Sequence, residues 1–499
     1  MMDGMDFETI VRGLRDANYE LNNESRLVRA GLKAEQNTAA IVERYAWLYS
    51  PEALAAVDAA AGQDEQRVHA ALLQGLIERR TAAGQDRLLG FYARAEAQVG
   101  GRRLPFFTGM AQLAVEPDAR RREEIGEAVS GVIAEAEELA LEISGTVMSV
   151  LREQGHDSYI GFWSKLKQVD YRVLQAELER VCEQAAPLYR PWLGPRLERC
   201  GHGFGSTPQF HQPFIRGVAD HDAVYTTERF EPAMRATFAR LGLELFESPI
   251  IHLDLSDRPG KNPRASVAVP EAGREVHLLI RPGGGNHDYA AFLHEAGHAL
   301  HFGLTDPEIG WPLANLSRSM AYPELWSFLI EGVGRDPLWI EQALGVPAGQ
   351  AQNIAADLTG VHLMMFNRYT AKLAYELELY SGDPLAEQRG RRLYREIPSS
   401  VTGFVYDERW WQFDRDDSFY SADYLRAWLA QADVERSLKE RFGERWWAEP
   451  EAGAWLRQQW AHGCAPEAEE TVAELGGKPW SGDALLATFE ERLGGLKVG

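Results

Sequence analysis

A chain of 499 residues with 45% hydrophobic content can bury a large core. Its formal charge of −22 argues against nucleic acid as a partner, since phosphate binding needs clustered lysine and arginine. No run approaches the roughly 18 uninterrupted apolar residues of a membrane span, and the acidic start Met1-Met2-Asp3-Gly4-Met5-Asp6 lacks the positive charge of a secretory signal.

From about residue 6 to 200 the pattern is helical almost throughout, punctuated by turn signals such as Val99-Gly100-Gly101 and by Ser50-Pro51, which reads as a helix cap with proline in the first turn. Segment 121–154 is charged on one side and apolar on the other, as a solvated and packed helix requires. The texture then changes around 200–218 to an irregular loop. Its histidines, His202 and His211, have no recognised metal-ligand spacing. Cys182, Cys200 and Cys464 likewise lack such spacing and read as reduced thiols in a cytoplasmic protein.

Residues 249–282 are the one convincing β region, with strand candidates at 249–255, 265–269 and 275–280. An exposed edge of this small sheet offers a place for an extended peptide to pair. The following Gly283-Gly284-Gly285 reads as a flexible loop.

Next comes Ala290-Ala291-Phe292-Leu293-His294-Glu295-Ala296-Gly297-His298-Ala299-Leu300-His301-Phe302. Residues four apart share a helix face, so the imidazoles of His294 and His298 can converge on one ion. Glu295 is then placed to act as general base on water at that ion. The flanking apolar residues suit a buried helix, where unpartnered polar groups are costly. A surface helix with two incidental histidines is the alternative.

A catalytic zinc takes three protein ligands and keeps one position open. With no His-x-x-Gly-x-x-His continuation, a glutamate from a following helix is expected as the third. Glu324 is the candidate, in the apolar run Met320-Ala321-Tyr322-Pro323-Glu324-Leu325-Trp326-Ser327-Phe328-Leu329-Ile330-Glu331, and Glu308 in a nearby loop competes with it. Glu331 falls near the same face as Glu324, where it can hydrogen-bond the far nitrogen of a ligating histidine. Beyond 430 the chain is helical again, with the tryptophans at 446, 447, 455 and 460 reading as core.

Together these stretches resemble the thimet oligopeptidase and oligoendopeptidase family of zinc metallopeptidases. The family's Asp-Leu-x-x-Arg-x-Gly-Lys-x-x-Gly-Ala stretch is matched from Asp254 to Ala265, with Arg264 in place of a glycine. His-Glu-x-Gly-His-Ala-x-His is matched from His294 to His301, and Glu-x-x-Ser-x-x-x-Glu by Glu324, Ser327 and Glu331. Gly155-His156-Asp157-Ser158-Tyr159 and Val169-Asp170-Tyr171 are similar to two further family segments, so the likeness runs from about 150 to at least 430.

The resemblance implies a mostly α-helical metallopeptidase of two lobes flanking a deep central channel, with a small sheet beside the zinc helix. Residues 1–200 would form an N-terminal helical lobe and 201–499 the catalytic lobe, in one continuous unit, as a monomer or homodimer. It also implies an oxyanion-stabilising tyrosine from a late loop and helix, here Tyr420 or Tyr424 in Asp416-Asp417-Ser418-Phe419-Tyr420-Ser421-Ala422-Asp423-Tyr424, where the family's glycines are missing. The expected activity is hydrolysis of short unstructured peptides with one Zn2+ per chain and Glu295 as base. Two alternatives stand beside it. One is a carboxypeptidase or dipeptidyl-carboxypeptidase gripping a terminal carboxylate with Arg264 or Arg426. The other is a catalytically silent helical binding protein that keeps zinc as a staple.

Overall fold

The computed structural model describes residues 5–494 apart from 59, 60 and 263; Met1 to Gly4 and Pro263 of the 254–265 stretch lie outside the described residues. The fold is 70% helical with only small sheets, the mostly α class expected from the sequence. It forms two compact units, each assembled from separate stretches. Of the described residues, the first contains those within 5–79, 219–355 and 426–481, and the second those within 80–218, 356–425 and 482–494. The chain thus changes unit five times, where the sequence reading placed a single boundary at 200.

In the first unit, a three-stranded sheet lies beside helix Asn286–Gly303. Its strand order is Ile251–Asp254, Glu275–Leu279, Ser266–Glu271; the first pair is parallel and the second antiparallel. The first and third strands in chain order fall within the predicted segments, and Ser266–Glu271 runs two residues past its own. Alternation buries Val276, Leu278 and Ala268. Helix Phe7–Arg29 runs along strand Ser266–Glu271: Asn22 accepts from the Val269 N–H at 3.1 Å, and Asn18 donates to Val269 O at 3.3 Å and to Pro270 O at 3.1 Å. The outer edge is therefore not open at Val269.

The match from Asp254 to Lys261 acquires a structural reason here. Lys261 is buried, and the three N–H groups of its Nζ are shared among four acceptors at 2.7–2.9 Å, Asp254 O, Asp254 Oδ1, Ser256 O and Ile280 O. One ammonium therefore ties together the ends of two neighbouring strands. Burial opposes ionisation of Asp254, but hydrogen bonds from Arg258, Ser256 and Lys261 outweigh it and hold the carboxyl well below its ordinary range.

The second unit is built from helices such as Ala119–Glu135, Glu137–Glu153, Tyr159–Lys167 and Tyr171–Arg199. Segment 121–154, read as one long helix, breaks at Ala136 into two. Sequence reading also missed a hairpin of Glu96–Val99 with Arg102–Pro105, because its strands are only four residues long and the second opens on two arginines. Gly100 and Gly101 turn it with φ of 57° and 77°, the left-handed pair such a two-residue turn needs. Thr207–Pro208 pairs with Phe404–Val405 in a further two-stranded ladder. Among the described residues no helix is long and apolar enough to cross a membrane.

Replacing Lys261 with Met leaves the strand ends without their shared donor and Asp254 without one of its cations. The expected cost is about 3 kcal/mol, seen as a lower urea midpoint at unchanged slope. Because the Asp254 pKa is depressed, its own contribution is present above the ordinary carboxylate pKa and fades as the pH falls toward the folded value. The wild-type excess over the variant should shrink on acidification in the same way.

Candidate metal centre

Helix Asn286–Gly303 begins where three glycines meet two aspartates. Gly284 and Gly285 have φ of 91° and 87°, Asp288 accepts from the N–H groups of Gly283 and Gly284, and Asp222 accepts from Asn286 N–H at 2.9 Å. The glycine run is thus a fixed entry to the helix, using backbone angles closed to other residues, and not the flexible loop expected. Phe292 faces Phe230, Phe238 and Phe246, and this apolar side sets the helix rotation so that His294 and His298 share the opposite face.

The second helix, Ala321–Val333, is buried along nearly its whole length and packs against the first. Its Trp326 meets Trp455 and Trp460; Trp446, Trp447 and Trp460 are buried in the core as expected, while Trp455 is half-buried. The packing carries Glu324 to the two histidines. Glu324 Oε2 lies 3.3 Å from His294 Nε2 and 3.6 Å from His298 Nε2, and ligand atoms of the three residues all fall within 4.8 Å of one another. Separations of this size are close to those between ligands sharing one ion at about 2 Å from each. Glu324 is buried while its competitor Glu308 is exposed and faces Arg274.

Glu331 Oε2 lies 3.0 Å from His294 Nδ1, and its Oε1 accepts from Arg335 Nη1 at 2.6 Å. A carboxylate only accepts, so His294 Nδ1 carries a proton, and Nε2, which faces Glu324, is the nitrogen that could be given up to an ion. Arg335, one turn beyond Glu331, was not singled out from the sequence; the i, i+4 spacing is the signal that could have found it.

The electrostatics favour positive charge at this point. Burial works against protonation of His294, yet the hydrogen bonds and charges of Glu324 and Glu331 prevail and raise it to about 10. Burial brings His298 down to about 4, so it is neutral and offers a lone pair. One carboxylate, one neutral imidazole and one imidazole that attracts a proton form a donor set suited to a divalent cation such as Zn2+. Glu295, adjacent in sequence, has its carboxyl raised by burial, the direction a general base requires. His301 of the same motif does not join the set: its Nε2 lies 2.8 Å from Gly463 O in the core.

Tyr420 and Tyr424 belong to the second unit, in the first turn and a half of helix Tyr420–Phe442, with ring centroids 4.9 Å apart. Arg426 does not suit a grip for a substrate carboxylate. It is buried, donates to both carboxylate oxygens of Glu469 at 2.7 and 2.8 Å and to Ser319 Oγ at 2.9 Å. Arg264 is exposed.

The structure also brings together a group that sequence spacing did not reveal. Glu123 Oε1 lies 2.7 Å from His202 Nε2 and 3.1 Å from His211 Nε2. Arg122 Nε, however, donates to His211 Nδ1 at 3.0 Å. A ring that accepts at Nδ1 keeps its proton on Nε2, so His211 donates to Glu123 and has no lone pair there for an ion. This cluster ties helix Ala119–Glu135 to the 202–211 segment.

No family model and no curated protein matches the sequence. Solved structures do match. A PZ peptidase A solved with an inhibitor aligns at a TM-score of 0.65 with 16% identity, covering 99% of this chain and 94% of that one. A provisionally named peptidase from Chlamydophila abortus gives 0.63 and 12%, covering 98% and 89%. A provisionally named oligoendopeptidase F from Bacillus anthracis str. Ames gives 0.58 and 15%, covering 91% and 82%. The fold is that of these peptidases.

Within this peptidase fold, the approach of the two helices depends on one residue. A Cβ at Gly297 would stand 2.5 Å from Ser327 Cα and 2.7 Å from Trp326 O, both on the Glu324 helix. Backbone cannot swing aside as a side chain does, so Gly297→Ala must part the helices. The expected loss is about 2 kcal/mol or more, read as a melting temperature several degrees lower by calorimetry. An unchanged melting temperature would mean that the helices tolerate separation.

Proposed function

We propose that the chain is a zinc-dependent peptidase that hydrolyses peptide bonds in short unstructured peptides. The observation that carries this reading is the convergence of His294, His298 and Glu324 beside Glu295. The fold shared with PZ peptidase A and oligoendopeptidase F supports peptides as the substrate class. In this reading His294, His298 and Glu324 hold one Zn2+, which when bound supplies Lewis acidity toward water and toward the scissile carbonyl.

The remaining roles belong to the chain's own side chains. Glu295 takes the proton of the attacking water and returns it to the leaving amine, a transfer helped by its raised pKa. Glu331, braced by Arg335, holds His294 in the tautomer that leaves Nε2 free as a ligand. Tyr420 or Tyr424 donates a phenolic hydrogen bond to the oxyanion, stabilising charge that develops only in the transition state. The pairing of Arg426 with Glu469 speaks against the carboxypeptidase alternative.

Hydrolysis of a quenched peptide mixture by protein carrying one equivalent of zinc tests this. Turnover should be lost on chelation and return with zinc. Glu295→Gln should retain zinc while turnover falls on the order of 10²- to 10⁴-fold. Cleavage of a peptide should survive C-terminal amidation, which an exopeptidase would not tolerate. Turnover indifferent to chelation, or a fully active Glu295→Gln, would overturn the proposal, and zinc retention with no turnover in either protein would favour the silent binding protein.

A further inference from the structure

A cavity of about 200 Å³ lies within the second unit, walled by helix Phe106–Val115, the 209–216 segment, helix Ala348–Tyr380 and the 406–414 stretch. An apolar cavity of about 150 Å³ admits benzene, so this one has room for a branched or aromatic side chain. Met110, Leu113, Met365 and Phe413 give it an apolar side. Two methionines make that side adaptable in shape.

The polar residues of the wall are incompletely bonded. Arg368 carries five N–H donors and makes one hydrogen bond, from Nη2 to Asp414 Oδ1 at 2.6 Å. Its Nη1 is covered by protein and has no partner, so the donors left for a ligand are Nε–H and the second N–H of Nη2. Gln212 is 9% exposed and donates from Nε2 to Tyr406 Oη at 2.9 Å; among the described residues its Oε1 has no partner. Other polar atoms of the same wall are satisfied. Asp414 Oδ2 accepts from Tyr394 Oη at 2.8 Å, and Trp410 Nε1 donates to Ser130 Oγ at 2.6 Å. The unmade bonds therefore gather at Arg368 and Gln212, two residues that share one cavity.

Charge narrows the class of ligand. Arg368 is already paired with Asp414, and Lys372, one turn on, lies 3.8 Å from Asp414 Oδ1 and 2.7 Å from Asp416 Oδ1. A ligand carrying full charge would unbalance this set in a place largely shielded from water, at a heavy desolvation cost. An amide avoids that cost. It is neutral, its carbonyl accepts from the guanidinium of Arg368, and its N–H donates to Gln212 Oε1. We propose that this cavity is a peptide-recognition site, taking one apolar side chain of an unstructured peptide together with the neutral amide group beside it. The site stands independently of the zinc-dependent reaction, because no residue of the candidate metal centre lines it.

Methyl NMR on the full-length, zinc-loaded Glu295→Gln protein, with 13C in its methionine methyls, tests this without peptide cleavage. Met110→Leu and Met365→Leu assign the two reporters. N-acetyl-leucinamide should shift both methyls saturably with a Kd of about 1 mM, ordinary for a ligand of that size. N-acetylglycinamide, without the side chain, should bind about tenfold more weakly or worse. 4-Methylpentanoate should likewise bind at least about tenfold more weakly than 4-methylpentanamide, its neutral counterpart. Met365→Trp, which fills the cavity, should abolish the Met110 shift, and Gln212→Met should weaken binding about fivefold. If Met365→Trp does not fold, the titrations with the Met365 side chain in place decide alone. The absence of a saturable shift at either methyl up to about 20 mM would make the cavity a hydrated void and overturn the proposal. So would a carboxylate that binds as tightly as its amide, or a Met110 shift that persists once the cavity is filled.

Discussion

The centre depends on holding two imidazoles and two carboxylates together out of water. Each of these groups is costly to bury alone, and a carboxylate is costlier than an imidazole. The arrangement becomes tolerable because every member answers another: Glu331 takes the His294 Nδ1 proton, Arg335 balances Glu331, and Glu324 faces both Nε2 atoms. A divalent cation at the convergence would complete the balance, and this is why the donor set is read as a zinc site.

That balance requires two helices to lie almost backbone to backbone. Gly297 permits it, Ser327 occupies the facing position, and the Phe292 and Trp326 clusters press the helices together from their outer sides. The sheet contributes from one flank. Its strand ends are tied by Lys261, and Glu295 gains hydrogen bonding from the Val267 backbone on strand Ser266–Glu271. Rigid supports of this kind keep donor atoms within the narrow tolerances that metal binding and proton transfer require.

Much of the centre was legible in the chain because its chemistry is local. His294, Glu295 and His298 lie within two turns of one helix, so helical periodicity alone places both imidazoles on one face. Glu324 and Glu331 could be named because they are charges in an otherwise apolar helix, where a bland surface role is implausible. What depended on distant pairing was hidden. Glu123, His202 and His211 meet only through the packing of separate segments. The hairpin at 96–105 escaped for the opposite reason: its strands carry charge and little β-forming character, and tertiary context overrides their propensity. The glycines before the metal helix were misjudged because glycine permits both mobility and fixed left-handed geometry, and only the aspartates opposite them show which applies.

The measurement that bears most directly on this account is anomalous diffraction at the zinc edge from crystals of the protein carrying one equivalent of zinc. The account predicts one dominant peak about 2 Å from His294 Nε2, His298 Nε2 and a Glu324 oxygen. A dominant peak beside Glu123, His202 and His211, or no ordered zinc near the His294 helix, would contradict it.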